Sequence, residues 1–109
     1  YPAPGLPDLT REVVELLAAS DLPARIDSRR PFDHGAWVPL PLMYPQADIP
    51  VVQISLPSRQ GPELQTRVGK ALAGLRAEGV LIIGSGSITH NLGELNWNGD
   101  SARVEPWAQ

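Results

Sequence analysis

Four large aliphatic residues stand in a row at Val80-Leu-Ile-Ile83, bounded by Gly79 and Gly84. A run so short and so uniformly apolar predicts a strand covered on both faces. Val51-Val-Gln-Ile-Ser-Leu56, β-branched and mostly apolar, predicts another buried strand. Between the two, Pro57 to Gln60 turn the chain, and Leu64, Val68, Leu72 and Leu75 repeat at i, i+4, i+8 and i+11, the apolar stripe of one helix. Pro62 suits its first position, and Gly79 is placed to end it in a left-handed conformation. Strand, helix and strand in that order define a βαβ unit, two parallel strands joined by a right-handed crossover. The expected fold class is therefore α/β.

Upstream, Leu9, Val13, Leu16 and Leu17 fall on one face of a helix running from Asp8 to about Ser20. Asp8 or Thr10 is positioned to cap it and Pro23 to stop it. Residues 27–50 are different in kind. Five of the twelve prolines fall there, together with Phe32, Trp37, Met43 and Tyr44. A long loop inside a small domain is usually functional or wrongly assigned. The first is expected here, with one helical turn after His34.

The chain has 109 residues, the size of one small domain, with 42% apolar and 19% charged residues, which argues against disorder. Net charge is −3 and no cationic cluster exceeds Arg29-Arg30, so nucleic acid is not an expected partner. The absence of cysteine removes disulfides, zinc knuckles and thiol nucleophiles together, and fits a reducing cytoplasm. No stretch approaches the roughly 18 apolar residues of a membrane span, and Tyr1-Pro-Ala-Pro-Gly5 does not read as a signal peptide. The expectation is a soluble, cytoplasmic protein with no membrane partner. Lacking an initiator methionine, it fits a processed or excised piece.

Ligands of open α/β sheets bind beyond the carboxyl ends of parallel strands. The second expected strand runs into Gly84-Ser-Gly-Ser-Ile-Thr-His-Asn-Leu92, which delivers His90 and Asn91 to such an edge. Ser85, Ser87 and Thr89 offer hydroxyls that can orient a neighbour. Gly84-x-Gly86 lacks the third glycine and the lysine of a phosphate loop, and the serines are out of phase with a nucleophile elbow. His34 lies in Asp33-His-Gly-Ala-Trp37. It is either an ordinary surface or core histidine or a proton-transfer group whose tautomer Asp33 fixes, unless Asp33 points away. His34 and His90 are the only histidines, and with Asp33 or Glu94 they could form a two-histidine, one-carboxylate metal set, which the spacing does not demand. Trp37, Tyr44, Trp97 and Trp107 are packing residues or the walls of an aromatic pocket.

Three longer stretches resemble the class III extradiol ring-cleavage dioxygenases, in the DOPA 4,5-dioxygenase-like branch. They are Phe32-Asp-His-Gly-Ala-Trp-Val-Pro-Leu40, Met43-Tyr-Pro-Gln-Ala-Asp-Ile-Pro-Val-Val-Gln-Ile-Ser-Leu56 and Glu78-Gly-Val-Leu-Ile-Ile-Gly-Ser-Gly-Ser-Ile-Thr-His-Asn-Leu92. Tyr1-Pro-Ala-Pro-Gly5 and Trp97-Asn-Gly-Asp-Ser101 extend the likeness to essentially the whole chain. The resemblance implies a mostly parallel or mixed sheet flanked by helices. It implies oxidative cleavage of a catechol with O₂ at a non-haem Fe(II), with zinc possible in the same place.

Carried over by residue, His90 matches the family's acid/base beside the metal, sometimes assigned as a ligand. His34 matches a second active-site histidine that binds the substrate or its oxygen, and Asn91 and Trp37 fall beside them as substrate-binding residues. The resemblance further implies that residues 1–109 are the central segment of a single catalytic domain. The principal metal-binding histidines then precede the position of Tyr1 or follow Gln109, on another chain or in parts that are absent. Two other readings stand beside this one: a non-catalytic fragment serving folding or subunit contact, and a small-molecule or nucleotide-binding α/β module resting on Gly84-Ser-Gly86.

Overall fold

The computed structural model describes residues 1–57 and 60–86. Four α-helices form among them: α1 (Pro7–Ala19), α2 (His34–Trp37), α3 (Leu40–Met43) and α4 (Pro62–Leu72), the last continuing as a 3₁₀ segment, Ala73–Glu78. None of them is long and apolar enough to cross a membrane.

Helix α1 begins with Pro7 in its first turn, where a missing N–H costs nothing, and neither Asp8 nor Thr10 caps it. The Thr10 hydroxyl instead donates to the Leu6 carbonyl at 2.9 Å, and Asp8 pairs with Arg11 one turn on. The helix ends before Pro23 is reached. Asp21 enters the left-handed region (φ 55°), its N–H bonds Ala18 O at 3.0 Å, and Leu22 N–H bonds Leu17 O at 2.9 Å. This pair of bonds is a Schellman motif, built here on aspartate where glycine is usual.

The α4 segment ends the same way. Gly79 takes φ 81°, its N–H reaches Arg76 O at 3.4 Å, and Val80 N–H reaches Leu75 O at 3.2 Å. The left-handed end expected of Gly79 is thus present.

The two helices pack together along the faces their periodicity marks. Val13, Leu17, Leu22, Leu72 and Leu75 form the buried cluster, with Leu9, Leu16, Leu64 and Val68 against it. Arg67 of α4 adds a polar tie, donating to the Ser20 carbonyl at the end of α1 at 2.8 Å. Leu22 and Val80, the residues just past the two helix ends, both belong to this packing.

Of the expected βαβ unit, the described residues show the helix but not the two strands. Among the described residues no strand forms, and residues 51–57 and 80–86 carry no regular secondary structure. The physical reason is that a strand exists only through a hydrogen-bonded neighbour, and two strands alone are marginal. The side chains agree: Leu81, Ile82, Ile83 and Leu56 are exposed, where a strand covered on both faces would bury them.

The proline-rich loop is more ordered than a bare linker. Helices α2 and α3 lie within it, Leu40 and Ala47 are buried, and the lead-in residues strap it down. The Tyr1 hydroxyl donates to Tyr44 O at 2.7 Å, and Val51 N–H donates to Pro4 O at 2.9 Å.

Candidate functional site

His34 is the first residue of α2, the single turn expected of the sequence. The turn closes through Ala36 N–H and Trp37 N–H to Asp33 O, at 3.0 and 2.9 Å, and Val38 N–H to His34 O at 3.2 Å. His34 is exposed, and Trp37, three residues on and so on the same side of the turn, has half its surface in solvent. An imidazole and an indole thus share one face, a pairing suited to hydrogen-bonding and stacking on a flat aromatic molecule.

Two segments distant in sequence meet this turn. Asp33 N–H donates to Gln53 Oε1 at 2.9 Å, across 20 residues. A Cβ placed on Gly35 would lie 3.1 Å from Asp33 Oδ1 and 3.6 Å from Ser85 Oγ. The turn thus lies next to Ser85, and a methyl added at position 35 would press on the Asp33 carboxylate.

The Asp-His-Gly turn, the centre of 51–56 and the Gly84-Ser-Gly86 loop come together. That loop leads in sequence to His90. His90 and Asn91, with Glu94, Trp97 and Trp107, lie outside the described residues.

Sequence reasoning singled out His34, Trp37 and Ser85 but missed Gln53. Its signal is visible in retrospect: a lone amide in the middle of an aliphatic run, where burial favours a polar side chain only if it has a partner.

A metal set is not complete here. Among the described residues no group of three or more His, Cys, Asp or Glu side chains could hold a metal ion. Asp33 and His34 do not provide the donors of a non-haem site by themselves.

The chain belongs to an aromatic ring-opening dioxygenase family, whose model, the catalytic LigB subunit of aromatic ring-opening dioxygenase, matches residues 1–108. Membership implies the extradiol dioxygenase fold, and the extradiol enzymes of this family are non-haem metal enzymes. Among individual proteins, the chain is similar to the 4,5-DOPA dioxygenase extradiol of Escherichia coli (strain K12), 46% identical over 109 residues, covering 99% of this chain and 39% of that protein. Proteins of the same name from Beta vulgaris and Portulaca grandiflora are 50% and 47% identical, each over 99% of this chain and 40% of their own length. The chain thus spans about 40% of the length of the curated relatives it matches.

Proposed function

We propose that this chain forms part of an extradiol dioxygenase that opens the aromatic ring of a catechol-type substrate with O₂. The observation that carries the reading is the family match along residues 1–108. The relatives named as DOPA dioxygenases make DOPA the first catechol to test.

In this reading residues 51–56 and 80–83 are strands of a parallel or mixed sheet. Their neighbours are supplied by residues beyond these 109, which also cover the exposed Leu81, Ile82 and Ile83. A metal, Fe(II) or zinc, would be held by ligands that also come from beyond them, in the same polypeptide or a complementary chain, with His90 as a further candidate ligand. Bound there, such a metal would supply the Lewis-acid and electron-transfer chemistry through which a catechol reacts with O₂.

The residues of this chain bind and move protons. His90 serves as acid/base, taking the proton of a catechol hydroxyl. His34 hydrogen-bonds the substrate or its oxygen, and Trp37 and Asn91 line the ring's position. The exposure of His34 and Trp37 on one face of α2 supports their share of this assignment. The absence of cysteine supports a cytoplasmic setting.

The native-length protein, given Fe(II), air and DOPA, is expected to turn yellow as a ring-opened semialdehyde accumulates. His90→Ala is expected to slow that appearance by roughly 100-fold or more. An unchanged rate in the variant would remove His90 from the chemistry.

A further inference from the structure

We propose that Gln53 is a positioning residue for His34, acting through the backbone of Asp33. The proposal rests on the reading of His34 as a substrate-binding histidine. Asp33 is the N-cap of α2, with extended backbone (φ −84°, ψ 176°), and its own side chain makes no capping bond. In a capping box, the side chain three positions into the helix reaches back to the N-cap N–H. In α2 that position is Ala36, which has no acceptor to offer. Gln53 takes the role from a distance, accepting the Asp33 N–H at 2.9 Å.

The distance in sequence is the point. A local box fixes a helix start relative to its own turn, whereas this one fixes it relative to the 51–56 segment. His34 follows Asp33 directly, so the bond sets the place from which the imidazole projects. Gly35 marks a second contact of the turn, near Ser85. A Cβ there would lie 3.6 Å from Ser85 Oγ, so α2 meets the Ser85 segment as well as the 51–56 segment. Gln53 carries the one such acceptor in Val51-Val-Gln-Ile-Ser-Leu56 long enough to reach across, which accounts for an amide among aliphatics.

The test uses the native-length protein loaded with Fe(II). Gln53→Leu keeps the bulk and removes the acceptor; Gln53→Glu keeps an acceptor oxygen at the same reach. Measuring at about 1 M salt, where the Debye length falls to about 3 Å, weakens the repulsion between the added charge and the Asp33 carboxylate. The Leu variant is expected to raise KM for the catechol about tenfold, the equivalent of one hydrogen bond, and to leave kcat within about threefold. The Glu variant is expected to restore KM to within about threefold of the parent. Amide hydrogen exchange at Asp33 should accelerate in the Leu variant and stay slow in the Glu variant.

Equal losses in both variants, or an unchanged KM in the Leu variant, would overturn the proposal. Should Gln53→Leu fail to fold, Gln53→Ala replaces it with the same expectations. If the parent protein cleaves no catechol, the dioxygenase reading falls. The exchange comparison at Asp33 then still decides whether Gln53 holds the turn.

Discussion

Glu12 shows what one side chain contributes when its neighbours carry the same sign. Partial burial, then the charge and hydrogen bond of Glu78, then the charge of Glu15 push its carboxyl above the ordinary carboxylate value. The folded chain consequently holds the Glu12 proton more tightly than the unfolded chain does. That favours folding below the unfolded value, about 4.3, and the contribution is lost as pH rises through the raised folded value. Glu12→Gln should therefore raise the thermal midpoint at pH 7, where the ionised Glu12 faces Glu78 and Glu15. The gain should shrink to nothing well below about pH 4. A variant that gained equally at both pH values would show that packing, not charge, is responsible.

At the scale of elements, the two helix ends make opposite predictions from one geometry. Gly79 and Asp21 occupy the same left-handed position of the same motif. Replacing Gly79 by Ala places a Cβ in that conformation and should cost about 1 kcal/mol. Asp21→Gly removes one and should stabilise by about 0.5 kcal/mol, the relief being offset by chain entropy in the unfolded state. Both are read as shifts of a chemical denaturation midpoint, and equal signs for the pair would contradict the shared motif.

The same elements show what could be read from the residues. Helices α1 and α4 were legible because their apolar spacing is local and repeats over several turns. The end at Gly79 was legible because glycine is the residue that position favours. The end near Ser20 was read to within a residue, but its cause was not: Pro23 was expected to stop the helix, whereas Asp21 in the left-handed conformation does so, and aspartate there competes with its many other uses. The strands at 51–56 and 80–83 were read from composition, yet a strand is completed only by a neighbour elsewhere in sequence. For the site, Asp33-His34-Gly35 announced itself by motif. Gln53 did not, because its partner lies 20 residues away and no periodicity connects them.

At the scale of the molecule, the buried cluster between α1 and the α4 segment is small among the described residues. Five side chains form its centre, and Leu75 is the most buried of them at 2% exposure. Leu75→Ala should cost about 2–5 kcal/mol, a large part of the roughly 5–15 kcal/mol that holds a domain together. Urea denaturation of the native-length protein would read that loss as a lower midpoint, and a shift equivalent to less than about 1 kcal/mol would mean that this cluster is not where stability resides. The exposed run Leu81 to Ile83 makes the same point from outside, since three large aliphatics in water offer nothing to the fold until something covers them.

Leu22 and Val80 both pack with the α1/α4 cluster, each donating the longer bond of a Schellman end. From Leu22 the chain runs on to Asp33-His34-Gly35, and from Val80 it runs through Ser85 toward His90. The two arms therefore share one fulcrum. Loosening the α1/α4 packing should therefore disturb the Asp33–Gly35 turn and Ser85 together.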